Sequence, residues 1–158
     1  MKRISVKKSN ISGSGIVAEE DIKKGDFIGY IKGKLKRLKV TNKEESLSYP
    51  NWIGVEKGLW IDPTNPYQFL NHSCDPSAGI KRRFSVIALK DIKRGEEVTV
   101  DYSTIEGDEL WEMKCSCGSK NCRGVIKSVQ YLPKNIFSKY LPLIPRYFQD
   151  LHTSSKRK

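Results

Sequence analysis

Long apolar runs are what the sequence has least of. No stretch approaches the roughly 18 consecutive apolar residues of a membrane-spanning helix, so none is expected. The opening MKRISVKKSNISGSG is basic but leads into no apolar segment, so a secretory leader is not expected either. Both absences point to a reducing intracellular compartment, cytoplasmic or nuclear, and to no membrane partner. Cysteine is scarce, with four in 158 residues, and in such a compartment thiolate ligands or buried thiols are expected ahead of disulfides.

Acidic residues are in deficit, 18 against 29 basic ones, for a net charge of +11. The deficit is uneven. Residues 32–43 carry Lys32, Lys34, Lys36, Arg37, Lys39 and Lys43 with no acid, whereas 96–112 carry Glu96, Glu97, Asp101, Glu106, Asp108, Glu109 and Glu112 with no base. A uniformly basic chain would suggest non-specific polyanion binding. Segregated charge suggests two partners: a basic protein or peptide for the acidic run, and nucleic acid for residues 32–43. The bland reading makes both runs solvated faces.

Repeats on a solenoid scale are also missing, but one echo is present. VAEEDIKKGDFI (17–28) and IALKDIKRGEEV (87–98) share Ala, Asp-Ile-Lys and Gly at an offset of 70. Each reads as strand, tight turn, strand, with Asp21 and Asp91 capping their turns and Gly25 and Gly95 ending them. Val98, Val100 and Tyr102 alternate with polar residues as a strand would, as do Phe84, Val86 and Ala88. FIGYIKG, NWIGV and GLWID are further short strand candidates. Helical signal appears mainly in the C-terminal PKNIFSKYL and PRYFQDL, which open on Pro133 and Pro145. The fold class is mainly β with small helical additions.

The cysteines are clustered as CSCGSKNC, with Cys115, Cys117 and Cys122 able to put three sulfurs around one ion. Structural zinc takes four tetrahedral ligands. Cys74 is the one remaining thiol, His72 is the other candidate fourth ligand, and a cluster of thiols with no metal is the remaining alternative. A four-cysteine site would dock the C-terminal segment onto the NHSC segment, because metal-binding energy is folding energy.

Asn71-His72-Ser73-Cys74-Asp75-Pro76, then Asp91-Ile92, Gly95-Glu96-Glu97, Asp101-Tyr102 and the three clustered cysteines resemble the SET-domain protein-lysine methyltransferases with their post-SET zinc motif. Gly13-Ser14-Gly15-Ile16 resembles that family's glycine-bearing cofactor segment. The resemblance runs from about residue 3 to 127. It implies a β-clip fold with pseudoknot-like threading, a SET domain over 3–104 and a post-SET zinc segment over 111–127. Residues 128–151 are then a C-terminal helical cap and 152–158 a flexible basic tail.

The resemblance also implies methyl transfer from S-adenosylmethionine to the ε-amine of lysine in a basic protein, histone-like, chromatin or ribosomal. Tyr102 is the expected catalytic residue, although by its strand position alone it reads as a core tyrosine. Gly13, Ser14, Gly15, Tyr49, Gln68, Asn71, His72, Tyr102 and Ile126 are expected around the cofactor, with Val100 and Tyr102 lining the substrate channel. Gln68 stands where the family commonly has Arg, Ser77 where Asn is common, and Tyr30-Ile31 where Glu-Tyr is usual. Val100 replaces a Phe or Tyr and leaves room for more than one methyl. These departures define the alternative, a catalytically weak SET-like module that binds basic or nucleic-acid-associated proteins. A small zinc-bearing nucleic-acid binder is a third reading, and it leaves NHSC and Asp101-Tyr102 unexplained.

Overall fold

The computed structural model describes residues 1–49, 51–82 and 84–156. Its strands, in chain order, are β1 (Ile4–Lys8), β2 (Ser14–Ala18), β3 (Phe27–Tyr30), β4 (Gly33–Arg37), β5 (Ile53–Glu56) and β6 (Leu59–Pro63). There follow β7 (Ala78–Lys81), β8 (Ser85–Ala88), β9 (Glu97–Val98), β10 (Glu112–Lys114) and β11 (Val125–Lys127). The helices are α1 (Lys43–Leu47), α2 (Lys134–Tyr140) and α3 (Arg146–Ser155). The strands form small antiparallel sheets ordered β1-β2-β9, β3-β8-β7 and β4-β6-β5, with β10 and β11 as a separate pair.

β-Branched residues dominate the interior. Ile16, Ile22, Ile28, Ile80, Val86, Ile92, Val98 and Val100 are essentially inaccessible, and each contributes about 1.5–3 kcal/mol by leaving water. Such side chains suit short, half-buried strands. The C-terminal helices complete this core with Phe137, Tyr140, Ile144 and Phe148. Phe148 lies against Gly54 of β5, where a Cβ would press on its ring.

The echoed units lie side by side. Ile22 and Ile92 exchange both backbone hydrogen bonds at 2.8 Å, and Gly25 and Gly95 adopt φ of 87° and 91°. The capping differs from expectation, because each aspartate serves the other copy. Asp21 Oδ1 accepts the Arg94 N–H at 3.0 Å, and Asp91 Oδ1 accepts the Lys24 N–H at 2.9 Å. The Ile22–Ile92 bridge aims each carboxylate across at its neighbour. Within each turn the amide of Lys23 or Lys93 goes instead to Asp26 or Glu96.

Two strand expectations are corrected. β9 ends at Val98, and Tyr102 opens a single 3-10 turn over residues 102–104, with Asp101 Oδ1 accepting the Ser103 N–H. The chain leaves the sheet because Val100 pairs with 71–73, giving its N–H to Asn71 and its carbonyl to Ser73. Phe84, with φ 61°, lies in the turn before β8 rather than on the strand. The expected flexible tail is corrected as well. Residues 152–155 are the last turn of α3, with His152 stacked on Phe137 at 3.8 Å and its Nε2 2.9 Å from the Leu132 carbonyl. Residues 157 and 158 lie outside the described residues.

Candidate active site and metal centre

The bridge between His72 and Val100 brings the NHSC segment beside Asp101-Tyr102. The Tyr102 hydroxyl donates to the Leu70 carbonyl at 2.8 Å, and its backbone N–H donates to His72 Nδ1 at 3.2 Å. Burial, and then the nearby charge of Glu97, raise the Tyr102 phenol above its ordinary value. The group therefore stays protonated and acts as a hydrogen-bond donor.

Tyr102 opens onto a cleft lined by all three tryptophans of the chain, Trp52, Trp60 and Trp111, with Tyr49, Gln68 and Val100. Tyr49 stacks on Trp52 with ring centroids 3.9 Å apart. Glu106 closes one side, its Oε1 accepting the Gly107 and Asp108 N–H groups at 2.7 and 2.8 Å. Burial raises Glu106 to about 7 despite those two donors. Aromatic faces and a desolvated carboxyl suit a long cationic side chain that arrives apolar stem first.

The glycine-bearing segment is knitted to Asn71 and Glu97. Asn71 Nδ2 donates to the Ser12 carbonyl at 3.1 Å, the Ser14 carbonyl at 3.0 Å and Glu97 Oε1 at 2.8 Å. Ser9 Oγ donates to the other Glu97 oxygen at 2.8 Å. The space that a Cβ would need at Gly15 is filled by the Glu97 carboxylate, so here Gly15 makes room for a side chain of its own chain. Gly13, with φ 48°, makes the turn, and none of the described residues beyond its chain neighbours comes within 4 Å of the position its Cβ would take.

The sulfurs converge. Cys74 and Cys115 Sγ are 3.8 Å apart, Cys115 and Cys122 Sγ are 3.6 Å apart, and Cys117 Sγ accepts the Cys74 N–H at 3.4 Å. A ring nitrogen of His72 and the sulfurs of Cys74, Cys115 and Cys117 all lie within 4.8 Å of one another. A zinc ion with Zn–S bonds near 2.3 Å needs tetrahedral sulfurs about 3.8 Å apart, so the donor set fits that ion. His72 is buried and held down to about 3 by burial and the Arg123 charge, and is therefore neutral. Its Nδ1 accepts from Tyr102, so the proton sits on Nε2, which faces Cys74 Sγ at 3.3 Å as a donor.

Arg123, one residue past Cys122, was absent from the sequence-based set. Its guanidinium reaches Asp101 Oδ1 at 2.6 Å and Cys74 Sγ at 3.3 Å. Glu97 and the three tryptophans were missed as well. In the echo, Glu97 stands where the first copy has the apolar Phe27, which is the signal that could have marked it. The acidic run also differs from the open acidic surface expected: Asp101 is buried against Arg123, and Glu112 pairs with Lys43 and Lys127. Of the other expected residues, Ile126 is buried on β11, and the His72 ring points into the sulfur cluster.

The SET domain family matches residues 13–103, more than half of the chain, and the chain belongs to that family. Among its relatives is "Histone-lysine N-methyltransferase trithorax" of Drosophila virilis, 34% identical over 135 residues that make up 76% of this chain and 4% of the relative. Another is "Histone-lysine N-methyltransferase ASHR3" of Arabidopsis thaliana, 32% identical over 142 residues, 79% of this chain and 28% of the relative. The chain thus spans a small part of these relatives. A crystal structure of KRYPTONITE in complex with mCHH DNA, H3(1-15) peptide and SAH superposes with a TM-score of 0.60 at 21% identity, over 79% of this chain and 29% of that one. A chain of a humanized mutant of the Chaetomium thermophilum Polycomb Repressive Complex 2 bound to the inhibitor GSK126 gives a TM-score of 0.52 at 26% identity, over 66% of this chain and 15% of that one.

Proposed function

We propose that the chain is a protein-lysine N-methyltransferase that uses S-adenosylmethionine and acts on a basic, histone-like protein of chromatin or the ribosome. The observation that carries this reading is the protonated Tyr102 hydroxyl, fixed on Leu70 beside Asn71-His72 at an aromatic, acid-flanked cleft. The cofactor would supply a methyl group made electrophilic by its sulfonium. Gly13, Ser14, Asn71, the His72 backbone and Ile126 would hold it, with Gly15 giving the segment its close packing. The apolar cleft lowers the ammonium pKa of an entering lysine by desolvation, which frees the lone pair that must attack. Tyr102 then orients that amine, and orientation supplies much of the acceleration. Val100 leaves space for an amine that already carries a methyl.

We assign one zinc ion to Cys74, Cys115, Cys117 and Cys122, with His72 donating its Nε2–H to the Cys74 thiolate from outside the ligand set. The ion would fasten the segment around β10 and β11 to the NHSC segment. Lys32, Lys34, Lys36 and Lys39 on and around β4 have no acidic partner within ion-pair distance among the described residues. They are suited to the phosphates of a nucleic acid that carries the substrate protein. A chromatin or ribosomal substrate would make the site of action intracellular.

Transfer of labelled methyl from S-adenosylmethionine to histones and to a whole-cell extract tests this reading. Label on lysine with the wild type and none with Tyr102→Phe supports it. No label and no cofactor binding by a zinc-loaded wild type would leave a SET-like binding module.

A further inference from the structure

A second groove adjoins the Tyr102 cleft. Its volume is about 680 Å³, and Leu38, Val40, Trp60, Glu106 and Asp108 line it and the cleft alike, so the same side chains wall both. The opposite wall is α3, through Tyr147, Phe148 and Leu151. That wall lies outside residues 13–103, which match the family, and comes from the chain's own C-terminal segment.

Two glycines let α3 reach this position. A Cβ on Gly54 of β5 would lie 3.0 Å from the Phe148 ring, and one on Gly107 would lie 2.8 Å from Leu151 Cδ1. The backbone between the cleft and the groove is tied at three successive residues. The Ile105 carbonyl accepts the Gly54 N–H at 3.1 Å, and the Glu106 carbonyl accepts the Val129 N–H at 2.9 Å. The Gly107 carbonyl accepts from Gln130 Nε2 at 2.8 Å. The groove is thus braced before anything enters, which spares a ligand the cost of ordering it.

The lining says what kind of ligand fits. Leu110, Tyr147 and Leu151 give the groove apolar surface, and Leu110 is 44% exposed. Gln130 lines it too and is 7% exposed, yet its Oε1 accepts no hydrogen bond among the described residues. The buried Oδ2 of Asp108 is in the same position. A polypeptide backbone offers the N–H donors that these two acceptors lack. The charged lining carries both signs, with Arg37, Lys39 and Lys57 against Glu56, Asp108 and Glu109. Those carboxylates disfavour a phosphate chain, whereas a polypeptide with an apolar side chain to bury suits a groove of this size and lining.

We infer that this groove holds the part of the substrate polypeptide that flanks the target lysine, and that it selects a bulky aliphatic residue there. The inference rests on the methyltransferase reading, which puts the lysine in the adjoining cleft. With the lysine stem among the tryptophans, the flanking chain crosses the shared wall of Leu38, Val40 and Trp60 and enters the groove. Leu110, Tyr147 and Leu151 are then specificity-determining residues. The C-terminal segment takes part in choosing the substrate as well as in completing the core.

The test is methyl transfer by the zinc-loaded protein to synthetic peptides that carry one lysine in a serine and arginine background. A leucine is stepped through about six positions on each side of the lysine, a reach of about 20 Å. Leucine at one position, or at two neighbouring ones on the same side, is expected to raise kcat/KM by about tenfold, mainly through KM. Leu110→Ser changes an exposed position, and Tyr147→Ser removes a ring from the α3 wall. Each is expected to cut that leucine ratio by about threefold or more. Because the ratio compares two peptides on one protein, a general loss of activity does not mimic the effect. Transfer with no positional preference, or a preference that both variants keep, would overturn the inference. Label on histones but on none of the peptides would do so too, as would a dimer in sedimentation that Leu110→Ser dissociates, which would give the groove to a second copy. No label on peptides or histones would overturn the methyltransferase reading itself, and this inference with it.

Discussion

The Tyr102 hydroxyl and the Leu70 carbonyl meet at 2.8 Å across 32 residues of chain, and the phenol is the donor. With its pKa raised by burial and by Glu97, Tyr102 would, in the proposed reaction, orient an amine and not deprotonate it. Tyr102→Phe is expected to lower kcat by about 10²-fold or more with cofactor affinity unchanged. Its residual rate should keep the wild-type rise with pH, since that rise belongs to the substrate lysine. Loss of the rise in the variant would make Tyr102 the base.

Metal analysis separates the two candidate ligand sets. One zinc per chain is expected in the wild type and in His72→Gln, because His72 carries its proton on the nitrogen that faces Cys74. Cys122→Ser should lose the metal. The opposite pattern would place His72 in the coordination sphere and Cys122 outside it. Chelation is expected to lower the melting temperature and to expose residues 111–127 to proteolysis, because the ion's binding energy holds that segment in place.

Arg123→Met leaves Asp101, 1% exposed, facing no cation at the position its partner held. Breaking a buried pair in this way destabilises by about 3–5 kcal/mol. The double variant Asp101→Asn with Arg123→Met should recover part of that loss, because no buried charge is then stranded. Urea unfolding of the four proteins measures the coupling.

Glu106 imposes a pH dependence of stability. Its folded value near 7 lies above the ordinary 4.5, so the native state holds a proton that the unfolded chain has already released. Stability therefore falls as pH rises from about 4.5 to about 7 and stays lowered beyond it. Glu106→Gln should remove this fall, making the variant more stable than wild type by up to about 3 kcal/mol at pH 8 and not below pH 4.5. Melting curves across that range check the sign.

What could be read from the sequence was whatever is encoded locally. Cys115, Cys117 and Cys122 announce a metal loop by spacing alone, and the short β-branched runs announce small strands. Tyr102 was singled out by its surrounding motif, and the strand assigned to it gave way to a turn once Val100 paired with the NHSC segment. Glu97 and Arg123 could not be placed, because each gains its meaning from partners far along the chain: Ser9 for one, Cys74 for the other. The tryptophans at 52, 60 and 111 carry no shared pattern, and only the fold gathers them.

The exchanged aspartates of the echoed turns give the chain a clasp. Neither turn is fully capped until Asp21 and Asp91, 70 positions apart, have reached each other's amides. A fragment carrying one copy leaves both an unserved amide and an idle carboxylate, and the fragment with the other copy supplies the complement of each. Cut within the insert between β4 and β5, the two pieces carry matching halves of one lock. They are suited to recognise each other as separate chains and rebuild the domain by complementation.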